Sequence, residues 1–181
     1  TSILLTVALI LITLSYRIFR KESLKNSLIG VAGTSIALLI AQIQGSASGF
    51  FLPGIIRDLS VATIGFLSIL FGRPFTIYTS KSIRGWPLDW FLHKNVKPAY
   101  REVAIIWVVF LGIKGLLQLY FFNSPEILAV IKLATSNQTT IFLLVMTYIY
   151  GQRRLLKLGG PSVDEFLNKT PPPWSSQQSG F

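Results

Sequence analysis

The sequence predicts an all-α fold, a polytopic bundle of transmembrane helices. Of its 181 residues, 51% are hydrophobic and only 13% are charged, whereas about a quarter of the residues in soluble domains are charged. Three long stretches contain no Asp, Glu, Lys or Arg: Thr1 to Tyr16, Asn26 to Ile56 and Leu133 to Gln152. Since about 20 apolar residues in a helix cross the hydrocarbon core of a bilayer, lipid is the main solvent of this chain.

Hydropathy predicts five spans in this chain, which cover Ser2 to Ile18, Asn26 to Gln44, Phe50 to Phe71, Glu102 to Phe122 and Glu126 to Tyr150. The first span starts at the first residue of the chain, without a Met or a basic flank before it, so we expect a native N-terminal piece to be missing. We assign residues 1–158 to the transmembrane helical domain. Residues 159–181 are polar and Pro-rich, which predicts an extended cytoplasmic tail.

Basic residues are concentrated in every second connection between these spans. Residues 17–25 carry four basic residues, residues 45–49 carry no charge, and the third connection carries six basic residues. The fourth connection is a short Asn-Ser-Pro turn, and Arg153, Arg154 and Lys157 follow the last span. Because cytoplasmic loops are enriched in Lys and Arg, this pattern places the first residue outside and the C-terminus in the cytoplasm.

The third connection mixes apolar and basic residues. Its segment Pro74 to Arg84 is followed by Trp86, Trp90 and Phe91. This pattern favours a segment that lies on the cytoplasmic leaflet, with its aromatic side chains at the level of the lipid headgroups. A plain solvated loop is the alternative.

Small residues in the second and third spans predict helix-packing surfaces, because they let transmembrane helices approach closely. The second span has them at a four-residue spacing. We favour packing within the chain, and a regulated interface is the alternative. The predicted packing residues are Gly33, Ala37, Ala41, Gly45, Gly54 and Gly65.

Charged residues inside the spans form a candidate polar cluster of Arg57, Asp58, Lys114 and Lys132. At ~1.5 Å per residue, the three cations lie about 9 to 12 Å from the outer ends of their spans. Each cation costs roughly 2.5 to 3.5 kcal/mol at the bilayer centre. Since Asp58 is the only acid among them, the surplus positive charge would suit an anion, a lipid headgroup or a partner's carboxylate.

A structural role is the alternative for this cluster, with the lysines extended toward the outer headgroups and Asp58 neutralising the cation that faces it. Adjacent residues point about 100° apart on a helix, so we expect Arg57 and Asp58 to contact different neighbours. Gln118 lies one turn from Lys114 and joins the candidate cluster.

The fifth span contains six consecutive hydroxyl or amide residues, Thr135 to Thr140. Such residues bend or unwind helices through side-chain bonds to the backbone, and a broken helix at the midplane is a common way to build a site. We favour a continuous helix with its polar side toward the bundle interior.

Composition excludes several kinds of site. Without cysteine, the chain has no disulfide, iron–sulfur cluster, thiolate zinc or Cys nucleophile, and His93 alone cannot supply a bis-imidazole haem. We expect His93 to be interfacial or solvated, and we expect no metal site and no cofactor, although a bound lipid or pigment would suit the aromatic content. Topology accounts for the net charge of +10, so we expect no nucleic-acid partner.

Residues 50–56 read Phe-Phe-Leu-Pro-Gly-Ile-Ile, followed by Gly-Arg-Pro at 72–74 and by Trp107, Lys114 and Gln118. Over about residues 17–120, these features resemble an uncharacterised family of bacterial integral membrane proteins, a domain of unknown function with an FFLPG…GRP signature. That family is similar in general layout to the intracellular septation protein A group. The resemblance implies a bacterial inner membrane (plasma or internal) and a further segment before the first span, hence six spans with both ends cytoplasmic. It implies no reaction, substrate or cofactor.

Two functions remain open. The first is an accessory or scaffold subunit of a larger membrane complex, with the lipid bilayer and other membrane-protein subunits as partners. The second is a small carrier or channel for an anionic solute or lipid, built around the candidate polar cluster. An enzyme is the weakest interpretation, because the spans hold no carboxylate pair, no nucleophile with its base and no set of metal ligands; we predict no catalytic residue.

Overall fold

The computed structural model describes Ile12 and residues 25–45, 47–178 and 180–181. This part of the chain is helical and contains no strand, as the sequence predicts. The chain divides into two compact units, Thr1–Pro53 and Gly54–Phe181, and each is described by itself.

Helix α1, Lys25–Gln44, is the main element of the first unit and coincides with the second predicted span. It ends at Gly45, whose φ of 62° is the left-handed conformation that glycine adopts readily. A 3₁₀ helix, Ala47–Phe51, follows. The first predicted span, Ser2 to Ile18, lies outside the described residues apart from Ile12.

The second unit contains the remaining helices and starts within the first of them. They are α2, Leu52–Leu70; α3, Phe75–Arg84; α4, Leu88–Phe91; α5, Lys97–Tyr120; α6, Pro125–Ala134; α7, Asn137–Leu158; and α8, Val163–Leu167.

Three helical stretches of the described chain are long and apolar enough to cross a membrane. They are Ser48–Leu70, Lys97–Tyr120 and Pro125–Leu158, which correspond to the third, fourth and fifth predicted spans. A shorter apolar stretch, Gly30–Ile40, lies within α1. The membrane character of the chain therefore rests on three helical stretches, and the count of five spans stays a prediction.

The last of these stretches is interrupted between α6 and α7, so the prediction of a continuous fifth helix is wrong. Ser136 adopts an extended conformation, with ψ of −175°. The hydroxyl of Thr139 donates to the carbonyl of Ala134 at 2.7 Å, a carbonyl that in a continuous helix would accept a backbone N–H. The polar run breaks the helix because its hydroxyls compete for backbone acceptors.

The third connection folds into α3 and α4, so the prediction of a plain solvated loop is wrong, while its position on the cytoplasmic leaflet stays a prediction. Trp90 and Phe91 are fully buried, in edge-to-face contact at 5.0 Å between ring centroids. The indole of Trp90 donates to the carbonyl of Pro161 at 2.8 Å. These rings therefore form a core with Tyr100, because aromatic area is stabilised by burial against other rings.

Residues 159–178 and 180–181 pack against the rest of the second unit, which differs from the extended tail that their composition predicts. Phe181 stacks on Tyr100 with 4.3 Å between centroids. The amide of Gln152 in α7 donates to the carbonyl of Gln177 at 2.8 Å. Helix α8 begins with a capping box between Ser162 and Glu165. A few apolar side chains are enough to anchor an otherwise polar segment on an aromatic core.

Glu165 makes the packing of this segment depend on pH. The backbone N–H groups of Ser162, at 2.7 Å, and of Ser175, at 2.8 Å, donate to its carboxylate and lower the pKa of Glu165 from 4.5 to about 2. A lowered pKa stabilises the folded state fully above the unfolded value and less as pH falls. We expect the protection of the Ser175 amide from hydrogen exchange to weaken between pH 4.5 and 2.

Glu165→Gln should remove this pH dependence, whereas the exposed neighbour Asp164 serves as a matched control through Asp164→Asn. Equal effects of the two substitutions on Ser175 exchange would show that general acidity, and not the Glu165 carboxylate, governs the segment.

Candidate functional site

Helices α2 and α5 run antiparallel in close contact. A Cβ atom at Gly65 would lie 2.8 Å from Val108, and one at Gly115 would lie 2.6 Å from Leu59. Only glycine admits these neighbours without displacement, as at other close helix crossings in membranes. This approach positions the charged residues of the two helices.

Asp58 and Lys114 form an ion pair between α2 and α5. The ammonium of Lys114 lies 3.0 Å from Oδ2 of Asp58, and their side chains are 8% and 3% exposed. Burial removes both charges from water, which makes the pair costly to form. Loss of either partner is also costly, because the other would remain as an uncompensated buried charge. The pair is the centre of the candidate site.

Arg57 binds the other oxygen of the same carboxylate. Its Nε and Nη2 atoms donate to Oδ1 of Asp58 at 3.1 and 2.8 Å, so the prediction that these adjacent residues contact different neighbours is wrong. The Arg57 side chain is long enough to bend around the helix to its neighbour, and it stays 69% exposed in doing so. A carboxylate accepts several hydrogen bonds, which lets one acid serve two cations.

Lys132 reaches the same region from α6. Its Nζ atom lies 2.5 Å from the position that a Cβ atom at Gly54 would take, one helical turn before Asp58. Its charge interacts with those of Asp58, Lys114 and Arg57. The structure therefore brings together three cations and one carboxylate, which leaves a surplus of positive charge.

Gln118 lies one turn beyond Lys114 on α5 and is fully buried. Neither its Oε1 nor its Nε2 atom has a hydrogen-bond partner among the described residues. A buried amide without partners costs about 1 to 3 kcal/mol, and buried polar groups in proteins are almost always hydrogen-bonded. Gln118 is thus a buried donor and acceptor that the described residues leave unsatisfied.

The comparison with known families bears on what this arrangement represents. The family DUF3159, described as a protein of unknown function, matches residues 1–156. The chain belongs to this family. No curated protein and no solved structure matches it. Membership in DUF3159 confirms that the chain belongs to an uncharacterised family, a domain of unknown function.

The predicted packing residues of this DUF3159 chain fall into two groups. A Cβ atom at Gly54 would lie 2.5 Å from Lys132, and one at Gly65 would lie 2.8 Å from Val108. A Cβ atom at Gly33 or Gly45 would meet nothing within 4 Å in the described part of the chain. The side chains of Ala37 and Ala41 lie outside the described residues.

Sequence reasoning missed the contact between Glu102 and Arg154 in the DUF3159 chain. Arg154 on α7 binds both oxygens of Glu102 on α5, with three hydrogen bonds of 2.8 to 3.0 Å. Tyr150 donates to the same carboxylate at 2.7 Å. The sequence signal for this pair is that Glu102 begins one predicted span and Arg154 follows the end of another. Together with the hydrogen bond from Trp107 to Thr147, this pair shows that α5 and α7 pack as an antiparallel pair.

His93 lies half-buried between the rings of Phe166 and Trp174, with centroids 6.3 and 5.4 Å away. The backbone N–H of Asn95 donates to its Nδ1 at 3.3 Å. Burial, together with the charge of Lys94, lowers the pKa of His93. Over the residues that the structure describes, no group of three or more His, Asp or Glu side chains is placed to hold a metal ion.

Proposed function

We propose that this DUF3159 protein is a multi-pass protein of a bacterial inner membrane, either plasma or internal, with its C-terminus in the cytoplasm. The antiparallel order of α2, α5 and α7 supports this proposal. It brings the end of α2, the start of α5 and the end of α7 to one side, and these segments carry Arg73, Lys97 and Arg153. The opposite connection, residues 121–124, has no charge, in accord with the positive-inside rule. A layout similar to that of the intracellular septation protein A group is part of this proposal.

The function that we infer is that of an accessory or scaffold subunit of a larger membrane complex, without catalytic chemistry of its own. The supporting observation is the surface of α1. Gly33 has no neighbour within 4 Å among the described residues, and Ile36, Leu39 and Ile43 are 54%, 57% and 84% exposed. A small residue flanked by exposed apolar side chains is typical of a helix that packs on another membrane helix.

Native mass spectrometry after gentle extraction tests this function. We expect the wild-type chain to travel with other membrane subunits, and Gly33→Leu to abolish this association because the larger side chain prevents close approach. Gly112→Leu is the matched control, since a Cβ atom at Gly112 also meets nothing within 4 Å. A wild-type chain that travels alone, or equal losses in both variants, would contradict the scaffold function.

A second function, transport of an anionic solute or lipid, is supported by a different observation. Around Asp58 there are two cations in excess of the carboxylate. The buried amide of Gln118, which has no hydrogen-bond partner among the described residues, lies one turn from Lys114. In vesicles that contain only this protein, Lys132→Met should abolish anion flux, while Lys157→Met, outside the cluster, should leave it unchanged. Absence of flux in the wild-type protein would eliminate this alternative.

A further inference from the structure

A groove separates α3 from α7 at the end of the second unit opposite the charge cluster. It consists of two adjoining cavities of about 340 and 360 Å³ that share Ser80 and Ile83 of α3, Leu144 and Tyr148 of α7, and Phe181. We call this the α3–α7 groove.

The floor of the groove is formed by α5. Val103 and Trp107 line it there, and the indole of Trp107 donates to the hydroxyl of Thr147 at 3.3 Å. Its polar groups are thus few and partly engaged with each other. Cavities of this volume with mainly apolar walls are typical of binding sites for small molecules.

The open side of the groove borders a helical stretch that is long and apolar enough to cross a membrane. Leu144 and Tyr148, on the apolar stretch Pro125–Leu158, are 57% and 44% exposed, and Ile83 on the other rim is 84% exposed. In a bilayer, the acyl chains of lipids are in contact with such an opening. Apolar walls accommodate an acyl chain without leaving a polar group of the protein unpaired.

Arg84 places a positive charge at one end of the groove. Its Nε atom donates to the carbonyl of Phe181 at 3.1 Å, and its guanidinium lies 4.7 Å from the ring centroid of Trp86. These contacts fix the guanidinium beside the cavity wall that it lines. Lys81 lies one turn earlier on α3 and is exposed. A guanidinium binds phosphate oxygens well, and basic residues near a membrane surface attract anionic lipids.

We propose that the α3–α7 groove binds one acyl chain of an anionic phospholipid and that Arg84 binds the phosphate of its headgroup. The apolar walls select the chain, and the charge of Arg84 selects anionic over zwitterionic headgroups. This site is separate from the charge cluster of Asp58 and Lys114, so it does not depend on the function proposed above.

Fluorescence quenching by brominated lipids tests the proposal on the full chain, because Trp107 lines the groove. The protein is reconstituted in two vesicles with the same proportions of phosphatidylglycerol and phosphatidylcholine, with bromine on the chains of one lipid or of the other. For each protein, the quenching of Trp107 is obtained by subtracting the fluorescence quenching measured for the same protein with Trp107→Phe. We expect about fivefold stronger binding of the anionic lipid at Trp107.

Two pairs of variants separate the groove from the surrounding lipid. Ser80→Phe should fill the groove and reduce the quenching of Trp107, whereas Ser82→Phe, an exposed residue of the same helix, should not. Arg84→Gln should remove the preference for phosphatidylglycerol, whereas Arg73→Gln should retain it. Quenching that is equal for the two brominated lipids, or unchanged in Ser80→Phe, would overturn the proposal and indicate ordinary boundary lipid.

Discussion

Replacement of Asp58 by Asn should destabilise the protein by about 3 to 5 kcal/mol, because it leaves the ammonium of Lys114 buried without its counter-charge. Lys114 is 8% exposed and its Nζ atom lies 3.0 Å from the Asp58 carboxylate. Arg57 would keep an oxygen acceptor but lose the negative charge of its partner. Unfolding of the purified protein by titration of its detergent micelles with a denaturing detergent measures this loss.

Two further variants attribute the effect to the buried pair. The double variant Asp58→Asn with Lys114→Met should recover most of the lost stability, since an apolar replacement of a buried pair is often neutral or stabilising. Arg57→Gln should cost less than Asp58→Asn, because it leaves the buried pair of Asp58 and Lys114 intact. If Arg57→Gln were as destabilising as Asp58→Asn, the buried pair would not be the centre of the cluster.

Trp90→Ala should destabilise the second unit by about 3 to 5 kcal/mol, the usual cost of removing a large aromatic side chain from a core. Trp90 is fully buried, its ring contacts Phe91 and Tyr100, and it donates to the carbonyl of Pro161. Its loss should also release residues 159–181. Denaturant unfolding measures the stability, and limited proteolysis measures the release.

Comparison with two other substitutions identifies what Trp90 contributes. Trp90→Phe keeps most of the apolar area but leaves the carbonyl of Pro161 without the indole donor, so we expect a loss of about 1 to 3 kcal/mol. Phe142→Ala, at a residue that is 65% exposed, should change stability by about 0.5 kcal/mol or less. Equal losses for Trp90→Ala and Phe142→Ala would contradict a packed core at this position.

Much of the charge cluster could be predicted before its geometry was known. Charged residues are rare in apolar spans, so Asp58, Lys114 and Lys132 stand out, and helical rise places them at similar depth. Which cation pairs with Asp58 could not be predicted. The Arg57 side chain bends to its sequence neighbour, a conformation that depends on how α5 covers the other side of the carboxylate.

The break between α6 and α7 had a clear sequence signal but an uncertain outcome. The run Thr135 to Thr140 is compatible with a continuous helix or a broken one, because the same hydroxyls satisfy a helix carbonyl in either case. The hydroxyl of Thr139 takes the carbonyl of Ala134, and the difference between the two conformations is a matter of one or two hydrogen bonds. The local sequence does not determine which conformation is adopted when their free energies differ by so little.

By itself, the sequence determined the helical class and the three apolar stretches, because a chain in lipid must satisfy its backbone hydrogen bonds within each helix. Only the tertiary structure decided that Trp90 lies in a core, that Phe181 stacks on Tyr100 and that a groove remains between α3 and α7. These features depend on contacts between residues that are far apart in the chain. Such contacts produce no periodic pattern in the sequence of either segment, so the sequence does not reveal them.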